Sequence, residues 1–108
     1  MIVVSDTTPL ISLLKISRLD LLEKLFGEVL IPSAVFNELT TDERFQLEAN
    51  QIRQEKFIVV KEVNNLESVS ILKRATGLDQ GESEAIVLTD ELNAALLLID
   101  EANGRNVS

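Results

Sequence analysis

The segment Ile2-Val3-Val4-Ser5-Asp6-Thr7-Thr8-Pro9-Leu10-Ile11-Ser12-Leu13-Leu14 opens the chain with a strand that runs straight into a helix. Ile2 to Val4 are β-branched and apolar, the composition of a strand covered on both faces. Thr7 and Thr8 are hydroxyl residues suited to capping, Pro9 fits a first helical turn, and Leu10, Ile11, Leu13 and Leu14 supply an apolar stripe. Asp6 stands at the junction.

The same unit recurs outward from there. A helix from about Arg18 to Phe26 carries Leu19, Leu22, Leu25 and Phe26 at helical spacing and ends at Gly27. Val29 to Ile31 is a second strand, and Pro32 and Ser33 open a helix with Val35, Phe36 and Leu39 apolar and Glu38 among them. Asp42 to Lys56 reads as one polar helix with Phe45, Leu47 and Ile52 as its apolar face. Phe57 to Val60 is a third strand, followed by a short helix from Leu66 to Arg74 that stops near Gly77. A helix from Asp79 to about Leu92 turns Ala85, Ile86 and Leu88 inward, and Ala95 to Ile99 is a fourth strand ending in Asp100-Glu101. Strands alternating with helices predict a single three-layer α/β domain over residues 1–108, with a parallel sheet of about four strands and helices on both faces.

Composition narrows the chemistry. With 108 residues, 45% of them hydrophobic and 26% charged, the chain fits one soluble globular core and therefore one site. It has no cysteine and no histidine, which removes thiolates, imidazole bases and the usual zinc sites. No apolar run reaches the roughly 20 residues of a membrane span and the start lacks the basic opening of a signal peptide, so a cytoplasmic location is expected. A net charge of −8 argues against binding nucleic acid through a broad basic footprint. Chemistry must then run on carboxylates, hydroxyls, Lys, Arg and a bound ion.

In open parallel sheets, ligands bind outside the carboxyl ends of the strands. Asp6 follows the first strand and Asp100 the fourth, so both belong to that edge. Glu38 follows the second strand, and Glu82 and Glu84 lie in the first turns of the helix before the fourth. Such a group repels itself until a cation intervenes, and oxygen-only ligands select hard ions, Mg²⁺ or Mn²⁺. Paired ions of this kind support phosphodiester hydrolysis without histidine. The expectation is that Asp6, Glu38, Asp100 and at least one of Glu82 and Glu84 share a pocket of a few hundred Å³.

Four segments carry a family resemblance: Val3-Val4-Ser5-Asp6-Thr7-Thr8-Pro9-Leu10-Ile11, Ile31-Pro32-Ser33-Ala34-Val35-Phe36-Asn37-Glu38-Leu39, Leu78-Asp79-Gln80-Gly81-Glu82-Ser83-Glu84-Ala85-Ile86, and Leu97-Leu98-Ile99-Asp100-Glu101. Together, in this order, they resemble PIN-domain nucleases, closest to a prokaryotic branch related to the toxin ribonucleases of toxin-antitoxin pairs. The resemblance implies a metal-dependent endoribonuclease in which Asp6, Glu38, one or both of Glu82 and Glu84, and Asp100 are catalytic metal ligands. It further implies an RNA substrate and an antitoxin partner. The branch usually reads Asp-Asp-x-x-Ala-Arg after its fourth strand, where this chain has Asp100-Glu101-Ala102-Asn103-Gly104-Arg105. The branch also continues with a further strand and helices, so a C-terminally truncated domain that covers its open surface by forming a homo-oligomer is expected.

Simpler readings compete at each position. Asp6 is also a plausible helix cap, Asp79-x-x-Glu82 is a capping-box pattern, Glu38 borders an apolar stripe, and Glu84 is compatible with a solvent-facing charge. Lys15, Arg18 and Lys24 are candidates for an RNA path or simply a solvated face. At the level of function, the alternative to a nuclease is an inactive PIN-like binding or oligomerisation module. A phosphoacceptor receiver domain expects an Asp after its third strand, where Lys61-Glu62 stand, and a haloacid-dehalogenase-like phosphatase expects an Asp where Thr8 stands.

Overall fold

The computed structural model describes residues 1–99. Strand β1 (Val3–Ser5) leads into helices α1 (Thr7–Lys15) and α2 (Asp20–Phe26). Strand β2 (Val29–Pro32) leads into α3 (Ser33–Thr41), a 3₁₀ turn (Glu43–Phe45) and α4 (Gln46–Gln54). Strand β3 (Ile58–Lys61) is followed by α5 (Leu66–Thr76), α6 (Gln80–Glu91) and strand β4 (Leu96–Leu98). All observed strand pairs are parallel, in the order β3-β2-β1-β4. This is the three-layer α/β architecture that the alternation predicts.

Alternation within the strands sorts the apolar side chains into two cores. Val3, Val29 and Ile31 point into one, with Leu10, Ile11, Leu22, Val35, Leu39 and Ile52 from the helices on that face. Val4 points into the other, with Val69, Ala85 and Leu88 buried and Leu30 and Leu97 packed against them. Each strand therefore needs apolar residues on both faces, which is why Val3-Val4 and Leu30-Ile31 read as continuous runs.

Local differences from the sequence expectation have local causes. The single helix expected from Asp42 to Lys56 is broken, because the Asp42 carboxylate accepts the Arg44 N–H at 2.9 Å and Phe45 has a non-helical backbone (φ −114°, ψ 20°). Leu47 is 78% exposed, and Ala49 with Ile52 forms the buried face instead. Leu25 likewise projects outward. Gly77 adopts the left-handed conformation (φ 76°) that closes α5, as glycine at that position allows. Among the described residues no helix is long and apolar enough to cross a membrane.

The strand order fixes where a ligand belongs. The chain moves outward from β1 to β2 to β3 and then returns to the other side of β1 with β4. The order reverses between β1 and β4, and the crevice beyond their carboxyl ends is the switch point at which α/β sheets bind ligands. Ser5 pairs with Leu98, and the Asp6 N–H donates to the Leu98 carbonyl at 2.9 Å, so Asp6 sits on that crevice.

Candidate active site

Asp6 is the first residue after β1 and the residue immediately before α1. Asp6 occupies the N-cap position of α1, but its side chain makes no capping hydrogen bond to the N–H groups beyond Thr7, so the cap reading does not account for its burial. It is only 5% exposed. Burial pushes its carboxyl up to about 6; the Thr7 N–H pulls the other way, and Asp79, Glu82 and Glu38 add repulsion in that order.

Glu38 reaches the same place from α3. The Thr7 hydroxyl donates to Glu38 Oε2 at 2.9 Å, joining the first turn of α1 to α3. Gly81, at the start of α6, lies against both acids. A Cβ at Gly81 would stand 3.4 Å from Glu38 Oε2, 3.5 Å from Asp6 Oδ1 and 3.5 Å from Val35. The two carboxylate oxygens therefore flank the bare backbone of α6, and glycine permits that approach. Neither Asp6 nor Glu38 forms an ion pair among the described residues.

The pair Glu82 and Glu84 divides into different roles. Glu82 completes the capping box at the start of α6: its N–H donates to Asp79 Oδ1 at 2.8 Å, and its Oε1 accepts the Asp79 N–H at 3.4 Å. It nevertheless stands close enough to raise the Asp6 pKa. Glu84 does not face solvent, as one reading of the sequence has it; it is 7% exposed. Its Oε1 accepts the Ala34 N–H at 3.1 Å and its Oε2 the Gln80 amide at 2.6 Å. Ala34 is in the first turn of α3, whose N–H groups have no partner within the helix. Glu84 thus caps α3 from fifty residues away and holds α6 against it.

That geometry predicts distinct mutant behaviour. Glu84→Ala should lower unfolding free energy by about 2 kcal/mol, since it strands a helix-end N–H and an amide, whereas Glu84→Gln, which keeps an acceptor, should cost much less. Urea unfolding of both variants checks this. Equal stability of Glu84→Ala and the unmodified protein would remove the capping role.

Asp79 is the acid that the sequence reading missed as a member of this group. Its spacing to Glu82 signals only the capping box, yet its charge raises the Asp6 pKa more than that of Glu82 or Glu38. Asp79, Glu38, Gly81 and Glu84 line one cavity of about 570 Å³, and Glu38 and Thr7 line a second of about 450 Å³ on the other flank. The structure brings Asp6 and Glu38 together, keeps Asp79 and Glu82 within electrostatic reach, and engages Glu84 with α3. Asp100 lies outside the described residues. Among the described residues, no three acids are arranged to hold an ion by themselves.

The donor set nevertheless suits a hard cation. Asp6 is buried, has no basic partner among the described residues and is destabilised as an anion; Glu38 offers a second carboxylate nearby. Mg²⁺ commonly takes one or two carboxylates and completes its shell with water and phosphate oxygens. No curated protein and no solved structure matches the chain. A family model described as a PIN domain matches residues 2–108, nearly the whole chain. With its parallel sheet and its acids at the switch point, the chain belongs to the PIN-domain family.

Proposed function

We propose that this chain is a metal-dependent endoribonuclease that hydrolyses RNA phosphodiester bonds. PIN domains form a nuclease superfamily, generally dependent on divalent metal and acting on RNA. The observation that carries the reading is the buried Asp6 carboxylate, without an ion pair among the described residues, raised to about 6 and set beside Glu38 at the crevice between β1 and β4. Mg²⁺ or Mn²⁺ would be held by Asp6 and Glu38, with Asp100 as a further proposed ligand and Asp79 and Glu82 contributing negative charge around it. When bound, the ion supplies an easier deprotonation of the attacking water and positive charge opposite the leaving oxygen.

The chain's own groups prepare that site. Burial keeps bulk water away from Asp6 and strengthens its pull on a cation. The Thr7 hydroxyl fixes Glu38 Oε2, and Gly81 leaves room between the two acids. Glu84 acts at one remove by fixing α6 on α3. The toxin role and the antitoxin partner belong to the same proposal and rest on the resemblance to the toxin branch; the homo-oligomer and the cytoplasmic location belong to it on separate grounds, the covering of open apolar surface and the make-up of the sequence. An inactive binding module is favoured by one observation, the engagement of Glu82 and Glu84 in caps rather than in an open ligand set.

Metal removal tests the central claim. Protein stripped with EDTA should leave single-stranded RNA intact, and excess Mg²⁺ or Mn²⁺ should restore cleavage. Undiminished cleavage in EDTA would overturn the metal dependence, and silence with both ions would favour the binding module.

A further inference from the structure

A protein of charge −8 that acts on RNA needs a local means of holding its substrate, and the second cavity beside Glu38 contains one. Its walls include Thr8 and Lys15 from α1, Glu38 from α3, Arg44 and Phe45 from the 3₁₀ turn, and Glu48 from α4. Arg44 is held in place twice over. Its guanidinium lies over the Phe45 ring, 5.1 Å from the centroid, and Phe45 packs on the core. Its Nε and Nη2 donate to the Asp42 carboxylate at 2.7 to 3.2 Å. Even so, 78% of the Arg44 side chain remains exposed.

The consequence is a flat, fixed cation with an outer surface open to solvent. Asp42 largely cancels its charge, so its plane rather than its charge is the distinctive asset. Guanidinium planes and aromatic rings stack on unpaired nucleobases, and a plane already held rigid loses little entropy on binding. Lys15 lines the same cavity and forms no ion pair among the described residues, which leaves its charge available for a phosphate. The field of Glu38 reaches Arg44, so the stacking plane adjoins the acidic site.

We propose that the Arg44 guanidinium, backed by Phe45 and clamped by Asp42, is a stacking platform for one nucleobase of single-stranded RNA, with Lys15 binding the adjoining phosphate. The proposal rests on the ribonuclease reading for its substrate, but its test uses binding alone. Labelled single-stranded RNA is titrated by fluorescence anisotropy in EDTA, alongside oligonucleotides that carry one abasic nucleotide at each position in turn.

For the unmodified protein, one abasic position should weaken binding roughly tenfold. Arg44→Lys, which keeps the charge and loses the plane, should bind intact RNA about as weakly and no longer distinguish that abasic oligonucleotide. Lys15→Gln should retain base discrimination and reduce the slope of log affinity against log salt by about 0.7. Circular dichroism melts verify that both surface variants fold. Uniform binding of all abasic oligonucleotides, no RNA binding, or full discrimination by Arg44→Lys would each overturn the platform. Discrimination without cleavage in any ion would retain the platform and remove the nuclease; cleavage without discrimination would do the reverse.

Discussion

Asp6→Asn should reduce Mg²⁺- or Mn²⁺-dependent cleavage of single-stranded RNA by two orders of magnitude or more while the fold survives. Asparagine keeps the shape of the side chain and removes the negative charge. At the dielectric typical of a protein surface, one unit charge contributes about 4 kcal/mol to another 4 Å away, equivalent to roughly three orders of magnitude in an equilibrium constant. Loss of that attraction at a divalent ion should therefore appear first as weakened ion affinity, so raising the Mn²⁺ concentration should restore part of the activity. The measurement is initial cleavage rate against ion concentration for both proteins. If Asp6→Asn cleaves as well as the unmodified protein at every concentration, Asp6 holds no essential ion. A helix-cap role makes the opposite forecast of unchanged activity and lower stability, and the absence of a capping bond from Asp6 already weighs against it.

The ion-free protein should become less stable as pH rises from 4 to 6, by up to about 3 kcal/mol from Asp6 alone. The carboxyl has an ordinary value of 3.8 when unfolded and about 6 when folded, so between these values the native state binds the extra proton. Stability therefore falls with pH through this window and levels off above it. Asp20 and Asp42 act in the opposite sense, since their Lys24 and Arg44 partners lower their carboxyl values; what they contribute is lost only as pH falls below the ordinary carboxylate range.

Asp6→Asn removes this contribution and leaves those of Asp20 and Asp42 in place. In EDTA, Asp6→Asn should be more stable than the unmodified protein at pH 7, and the gap should close towards pH 4. Adding Mg²⁺ at pH 7 should stabilise the unmodified protein and affect Asp6→Asn far less. Urea midpoints at four or five pH values provide the test. A stability gap that stays constant across the window would mean that Asp6 is not the strained anion described above.

Sequence alone determined what neighbouring residues decide between themselves. Val3-Val4 and Leu30-Ile31 must serve two opposed faces, so their apolar runs announced a sheet covered on both sides. Asp79 and Glu82 satisfy each other's backbone within one helical turn, so their spacing revealed the capping box. The position of Asp6 at the end of a strand placed it at the carboxyl edge before any neighbour was known.

Tertiary structure alone decided the relations that cross the chain. The order β3-β2-β1-β4 follows from which strand edges pair, and it places the switch point at Asp6. Glu84 accepts an N–H from Ala34 only because α6 packs on α3, and that contact turns a residue compatible with solvent into a buried cap. Gly81 looks like an ordinary helix-start residue until Asp6 and Glu38 are found against its backbone. Arg44 and Lys15 line one cavity because the 3₁₀ turn comes back beside α1. Periodicity and caps are short-range and are written in adjacent residues, whereas burial, pKa and the meeting of distant side chains arise only when helices from both layers close over the same sheet edge.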